Sequence, residues 1–288
     1  MVDKSMGSRI FNIFLYLFMA VIIVIFVFPF FYMFSLSTSG MKAIMNNRVT
    51  FFPVDFNIDA YLRIFEYPGF FQAYRNTIIY TTLGTFFSLI MMMLFAYPLS
   101  KSFLKGRGVI LKLVIFSMFF SGGLIPNYLL IRNIGFANKI WAILIPFAIN
   151  QFNLIIMVNF MRSIPEDIEE AAMIDGLGYF RILGWIVVPL SKPAIATIGL
   201  YTAVFFWNDW FNAMLYLNTE QRPVMMILRN IVVNAANAGE AQGYGERGIA
   251  EMASKSAVIL VSVIPIIVLY PFLQRFFVKG LTVGSIKG

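Results

Sequence analysis

The chain has 288 residues, of which 60% are hydrophobic and 12% are charged, and its formal net charge is +8. Soluble domains carry about 25% charged residues, so this composition excludes an ordinary soluble protein and indicates an integral membrane protein. Cysteine and histidine are both absent, which excludes a disulfide framework, a Cys or His metal site, and catalysis by a Cys or His side chain. Basic and aromatic residues are not grouped into a nucleic-acid-binding groove.

Long runs without charged residues recur along the chain, each close to the roughly 20 residues that a helix needs to cross a bilayer. They predict an all-α integral membrane protein with six transmembrane helices, at about residues 10–36, 75–100, 109–131, 140–162, 182–214 and 255–277. Lys192 and Asp209 interrupt the fifth span, but the residues between them are apolar. The first run exceeds a signal-peptide core and no A-x-A site follows it, so we interpret it as a retained anchor. We expect residues 1–288 to form a single transmembrane domain.

The loop after the second span carries four basic residues and no acidic one, namely Lys101, Lys105, Arg107 and Lys112. Short basic loops lie on the cytoplasmic side of the membrane. Since six spans put both termini on one side, the N- and C-termini are predicted to be cytoplasmic. Two longer outer segments follow from this order, at about residues 37–74 and 215–254. The first is expected to hold a short surface helix near residues 59–66, and the second to form a mobile loop tip rich in Gly, Ala and Asn.

A short polar helix is predicted at about residues 164–176, between the fourth and fifth spans. Ser163 and Glu166 have the spacing of a capping box, in which the Ser163 side chain caps the Glu166 N–H, and Gly176 supplies the stop. The residues expected on one stripe are Ile164, Ile168, Ala171 and Ala172, and those expected on the polar face are Glu166, Glu169 and Glu170. Anionic inner leaflets repel acidic segments, so a protein partner is favoured over a lipid surface. A solvated acidic loop is the alternative.

The segment Glu170-Ala171-Ala172, followed by Asp175-Gly176 and then by Ile186 and Pro189, resembles the cytoplasmic signature of binding-protein-dependent ABC importer permeases. The family pattern is E-A-A, three residues, G, nine residues, I, x, L, P, and Val188 stands here in place of the leucine. The runs at 121–126, 153–156 and 279–288 resemble the carbohydrate-importer branch. Within that branch they are most similar to the subgroup that includes permeases for alginate and other oligosaccharides.

The resemblance implies the type I ABC importer permease fold, with a cytoplasmic coupling helix between the fourth and fifth spans. The implied ATPase-coupling residues are Glu169, Glu170, Ala171, Ala172, Asp175, Gly176, Ile186 and Pro189. The chain lacks a G-x-x-x-x-G-K-[ST] phosphate loop, so separate ATPase subunits would bind ATP and Mg²⁺. This chain is therefore expected to be a transport subunit without enzymatic activity, and to bind no cofactor or metal itself.

By the same resemblance, the partners are a second homologous permease in a heterodimer, two cytoplasmic ATPase subunits and an extracytoplasmic solute-binding protein, in the cell (inner) membrane. The substrate would be an oligosaccharide, with acidic ones such as alginate fragments among the candidates, and it would be moved by alternating access. The candidate pathway residues are Asn153, Trp207, Asn208, Asp209 and Asn212, and those of the outer loop that would probe the binding protein are Asn234, Asn237 and Gly239. The tail at 279–288 resembles one that reaches between the ATPase subunits.

Several alternatives stay open at this point. The asparagines could serve hydrogen bonds between helices, and the tryptophans an interfacial aromatic belt. A related importer of amino acids or peptides would carry the same coupling motif. An ion-coupled secondary transporter would need buried carboxylates, of which the clear spans offer none apart from Asp209. An intramembrane enzyme would need an Asp pair or a Ser–Lys dyad, and the spans show neither.

Overall fold

The structure, a computed structural model, describes residues 6–242, 252–268 and 271, and every regular element within these residues is helical. The described residues of Met1–Phe70 and Ile227–Ile264 form one compact unit, and those of Phe71–Met226 and Pro265–Gly288 form the other. This helical architecture agrees with the all-α class that the uncharged runs predict. The expectation of one transmembrane domain over residues 1–288 stays a prediction.

The helices follow in chain order. They are α1 (Met6–Ser37), α2 (Met41–Met45), α3 (Asp59–Phe65), α4 (Phe70–Ser100), α5 (Arg107–Phe119), α6 (Leu124–Asn133), α7 (Trp141–Leu144), α8 (Gln151–Arg162), α9 (Glu166–Ile174), α10 (Tyr179–Ile182), α11 (Val188–Leu190), α12 (Lys192–Asn208), α13 (Phe211–Tyr216), α14 (Val224–Gln242) and α15 (Met252–Val268). A π-helical turn, Leu183–Val187, joins α10 to α11, and a 3₁₀ turn, Thr219–Gln221, precedes α14. Helix α3 confirms the short helix expected near residues 59–66.

Two helices, α1 and α4, are each long and apolar enough to cross a membrane, and they cover the predicted spans at 10–36 and 75–100. Two further candidates are bent pairs. Helices α5 and α6 meet at 114°, and the stretch Tyr179–Leu190 meets α12 at 82°. Counting each pair as one span gives up to four candidates among the described residues. The arrangement of six spans stays a prediction.

The two bends have local causes. Phe120 leaves α5 with extended backbone (φ −115°, ψ 116°), and Gly123 has a φ of +89° just before α6 begins. The second bend lies at Ser191, and Pro193 follows in the first turn of α12. Proline has no N–H to continue the preceding helix but suits the first turn of the next one. The predicted span at 109–131 is therefore divided between α5 and α6, and the one at 182–214 runs from the end of α10 through α11 and α12 into α13.

The first unit is built around the C-terminal end of α1. Leu36 packs with Ala43, Ile44 and Val49 in a small buried cluster. The Ser35 hydroxyl donates a hydrogen bond to the carbonyl oxygen of Phe51 at 2.7 Å, which anchors the following segment. Most of the side chains along α1 are large, apolar and exposed, the pattern expected of a helix that faces lipid.

The core of the second unit lies where α4 and α8 meet the helices that follow them. Helix α8 contacts both α5 and α12. The fully buried side chains at this junction include Met92, Met157, Ile182 and Ile198. Helix α4 also packs against α12, where Gly84 of α4 faces the ring of Phe206 of α12. This core includes residues of α8, which precedes the acidic helix α9, and of α10, which follows it.

Candidate functional site

Helix α9 begins differently from the predicted capping box. Ser163 belongs to the end of α8, where its hydroxyl donates a hydrogen bond to the carbonyl oxygen of Phe160 at 2.7 Å. Pro165 has extended backbone and occupies the N-cap position, and no side chain caps α9 there. The capping-box prediction is therefore wrong, and the helix starts at Glu166 because the residue before a proline is disfavoured in helical conformation. The acidic first turn still complements the positive end of the helix dipole.

The C-terminal end of α9 is a Schellman turn. The N–H of Leu177 donates to the carbonyl oxygen of Ala172 at 3.0 Å, and the N–H of Gly176 donates to that of Met173, also at 3.0 Å. Gly176 has a φ of +83°, as this turn requires. The structure thus confirms the expected glycine stop. It also explains why the motif has glycine four residues after Ala172, since the left-handed conformation costs other residues energy.

The buried face of α9 consists of Glu169 and Ala172, three residues apart, together with the preceding Ile164. Glu169 is only 3% exposed. Its Oε2 accepts a hydrogen bond from the Tyr97 hydroxyl at 3.0 Å, and its Oε1 forms an ion pair with the Lys101 ammonium. The prediction that Glu169 lies on the polar face is wrong, because Tyr97 in the last turn of α4 and Lys101 directly after that helix are partners that remove this carboxylate from solvent.

The opposite face of α9 is open. Glu170, Ala171 and Asp175 are exposed, and the side chain of Ile174 is 86% exposed. Ile168 is also exposed, so the predicted stripe of four apolar residues is divided between two faces. The exposed face therefore combines carboxylates with an apolar isoleucine. Such a surface is suited to a protein partner rather than to solvent alone.

The rest of the motif lies in the irregular helix that follows α9. Ile186 is partly buried against the core, in the π-helical turn, while Pro189 is exposed in α11. Proline cannot donate the hydrogen bond that would continue a regular α-helix, and a π-helical turn is one way to accommodate this. The motif therefore marks the exposed helix α9 and the distorted helix that connects it to α12.

A second feature is a cavity of about 560 Å³ between the N-terminal part of α8 and the middle of α12. It is lined by Met92, Pro146, Phe147, Ile149, Asn150, Gln151, Phe152, Asn153, Tyr201, Thr202 and Phe205. Every lining residue is uncharged. Asn150 also caps α8, since its side-chain oxygen accepts a hydrogen bond from the Asn153 N–H at 3.0 Å. The cavity offers amide groups and aromatic faces to a ligand.

Of the predicted pathway residues, only Asn153 lines this cavity. Trp207 is 5% exposed and packs edge-on against Tyr74, with ring centroids 5.9 Å apart. Asn208 donates a hydrogen bond to the Val204 carbonyl oxygen. Asp209 and Asn212 bond to each other, because Oδ1 of the aspartate accepts from both the N–H and the side-chain amide of Asn212. These four residues are therefore grouped around the end of α12 and do not line the cavity.

The sequence reading missed the cavity residues Tyr201 and Phe205, and it missed Tyr97 and Lys101 as partners of Glu169. A signal existed for the second pair, because Lys101 is the charged residue that ends the uncharged run of the second span.

Asn234, Asn237 and Gly239 lie within α14, so the expected loop tip is wrong for this stretch. The run contains no proline, and its alanines favour helix. Residues 243–245 and the tail at 279–288 lie outside the described residues.

Similarity to known proteins defines the class to which this fold belongs. No protein-family model matches the chain. It is 43% identical to Protein LplC of Bacillus subtilis over 82% of this chain and 81% of that protein. It is 38% identical to the polygalacturonan/rhamnogalacturonan transport system permease protein YtcP of the same species, over 98% of this chain and all of that protein.

A solved structure agrees with these relatives. A chain in the crystal structure of a bacterial ABC transporter involved in the import of the acidic polysaccharide alginate is 36% identical to this chain. It superposes with a TM-score of 0.85, covering 96% of this chain and 100% of that one. The fold is thus that of a membrane-embedded transport subunit. The chain belongs to the family of ABC sugar-transport permeases.

Proposed function

We propose that this chain is the transmembrane permease subunit of an ATP-driven, binding-protein-dependent importer of oligosaccharides derived from acidic polysaccharides. The names of the similar proteins support the substrate class, since they include a polygalacturonan/rhamnogalacturonan permease and an alginate importer. The uncharged cavity suits the hydroxyls and ring faces of sugars. Carboxylates of such a substrate would then be matched by the second permease subunit rather than by the cavity residues of this chain.

The observation that carries this proposal is the exposed face of α9. An acidic helix that presents Ile174 at 86% exposure, held in place by a buried face and a Schellman turn, is a rigid surface with no partner from the described residues. We propose that a cytoplasmic ATPase subunit covers it. Glu170, Ala171 and Asp175 would lie at this contact, and Ala171 would let the ATPase backbone approach closely. ATP and Mg²⁺ would be bound by two such ATPase subunits.

The remaining partners follow from the same assignment. A second, homologous permease would pair with this chain, an extracytoplasmic binding protein would deliver the oligosaccharide, and both termini would be cytoplasmic. Six spans would surround the pathway, and α9 would be the coupling helix between the fourth and fifth. Closure of the ATPase dimer would move α9 and so alternate the access of the cavity between the two sides of the membrane.

The proposal is tested by reconstituting the complete complex in proteoliposomes with its binding protein. Uptake of galacturonan and alginate oligosaccharides should require ATP and should persist when an ionophore collapses the ion gradients. Uptake that is abolished by the ionophore would identify an ion-coupled secondary transporter instead. Peptides or amino acids that compete with the oligosaccharides for uptake would contradict the proposed substrate class.

A further inference from the structure

Three polar groups meet in a buried position between α9 and the end of α4. The carboxylate of Glu169 accepts a hydrogen bond from Tyr97 and forms an ion pair with Lys101, and the Lys101 ammonium lies 4.8 Å from the centroid of the Tyr97 ring. The side chains of Lys101 and Glu169 are 10% and 5% exposed. We call these three residues the α4–α9 tether. Tyr97 and Lys101 are four residues apart, so both reach the same side of the α4 terminus.

The end of α4 that the tether grips is itself held by neighbouring cations. Arg107 donates a hydrogen bond to the carbonyl oxygen of Lys101 at 3.0 Å, and Arg162 donates to that of Leu99 at 3.4 Å. Positive side chains at a helix C-terminus stabilise its exposed carbonyl groups. A second, weaker link joins the two segments, because the Ser102 hydroxyl donates to Oε1 of Glu166 at 3.3 Å. The tether therefore connects α9 to a firmly held point.

We propose that Glu169 is a positioning residue that couples α9 mechanically to α4, through Tyr97 and Lys101. The inference rests on the proposed function, in which an ATPase subunit moves α9. Sliding α9 away from α4 would separate a buried carboxylate from a buried ammonium and leave both unpaired in a site with little water. Because an unpaired buried charge is unfavourable, α9 and the end of α4 move together. Since Met92 of α4 lines the cavity, this motion reaches the transport pathway.

A buried ion pair could instead serve stability alone, and the experiment separates the two roles. In the reconstituted complex we compare the number of oligosaccharides imported per ATP hydrolysed for the unchanged chain, for Glu169→Gln and for Lys101→Met. The same measurement is made for the charge exchange that combines Glu169→Lys with Lys101→Glu. Glu220→Gln is the matched control, because it makes the same chemical change at an exposed residue before α14.

The single variants should retain the ATPase subunits on purification and should lower the transport ratio by about fivefold or more, a typical size for coupling between two sites. The charge exchange should recover a large part of the ratio, whereas Glu220→Gln should leave it unchanged. A role in stability alone would reduce yield and leave the ratio of the surviving complexes normal, which would overturn the inference. If the single variants do not fold, the double variant that combines Glu169→Gln with Lys101→Met is measured instead. A normal transport ratio in this double variant would also overturn the inference.

These outcomes are distinct from a failure of the proposed function. If the unchanged chain purifies without any ATP-binding subunit, the proposed function fails and the tether has nothing to transmit. If the ATPase subunits are present and Glu169→Gln has the transport ratio of the unchanged chain, the tether inference fails while the proposed function stands.

Discussion

The ring of Phe206 in α12 lies so close to Gly84 in α4 that a Cβ at position 84 would stand 2.7–2.8 Å from three of its carbon atoms. Real contacts of a Cβ with other heavy atoms are longer than this, so any side chain at position 84 must displace the ring. Phe206 is fully buried and cannot move freely. The two helices therefore pack at a distance that only glycine permits, as small residues allow in membrane proteins generally.

Gly84→Ala is expected to lower the thermal stability of the purified protein in detergent. Overpacking of a tight core costs about 1–3 kcal/mol. Gly199→Ala is the matched control, because its new Cβ would meet Leu89 at 3.4 Å, an ordinary contact between the same two helices. Equal unfolding midpoints for the two variants would show that the Gly84 contact is not as tight as described.

A second prediction concerns the turn that ends α9. Gly176 has a φ of +83°, and a Cβ there would meet nothing within 4 Å, so a substitution acts on the backbone alone. Gly176→Ala should strain the turn by about 1–2 kcal/mol, and Gly176→Val by more because valine is β-branched. We expect both variants to insert in the membrane and to lose ATPase subunits on purification, the valine variant most.

Two companion variants make the Gly176 prediction specific. Gly176→Asn should retain more of the ATPase, because asparagine tolerates the left-handed conformation. Gly178→Ala should behave like the unchanged chain, since Gly178 has a φ of −80° and equally open surroundings. Loss of ATPase from Gly178→Ala but not from Gly176→Val would refute the role of the Schellman turn.

The cavity makes a third prediction, about which aromatic residue meets the sugar. Tyr201 lines the cavity and is 53% exposed, whereas Trp207 is buried against Tyr74. Tyr201→Ala should raise the substrate concentration for half-maximal uptake by about 2–10-fold, since an aromatic contact contributes about 0.5–1.5 kcal/mol. Trp207→Phe should lower thermal stability and leave that concentration unchanged. The reverse pattern in the same uptake assay would indicate that the sugar contact lies at the end of α12 instead.

Several parts of this molecule could be predicted from its sequence because they depend on local chemistry. Uncharged runs indicated α1 and α4, and the spacing of the glycine after Ala172 indicated the turn at the end of α9. The bend at Ser191 and the break between α7 and α8 were not predicted. Hydropathy is averaged over many residues, so a proline that changes the direction of the chain has little effect on it.

The sequence was least informative where distant residues meet. Glu169 lies in an acidic stretch of sequence that is typical of a solvent-exposed helix face. It is buried in the structure because Tyr97 and Lys101, about 70 residues earlier in the chain, lie beside it. Trp207 and Asp209 stand out in the sequence as an aromatic and a charged residue near a span, but Trp207 packs against the distant Tyr74 and Asp209 bonds to the nearby Asn212. The cavity gathers residues from α8 and α12 whose side chains carry no distinctive local pattern.

The central claim is that the exposed face of α9 contacts an ATPase subunit, and it is tested most directly by photocrosslinking in membranes. A benzophenone amino acid is installed in place of Ile174 or, as a control, in place of Phe52, which is 80% exposed in the predicted outer segment. Position 174 should give an adduct to a protein that carries the G-x-x-x-x-G-K-[ST] phosphate loop, identified by mass spectrometry, and position 52 should not. An adduct of that protein with position 52 alone, or with neither position, would contradict the account.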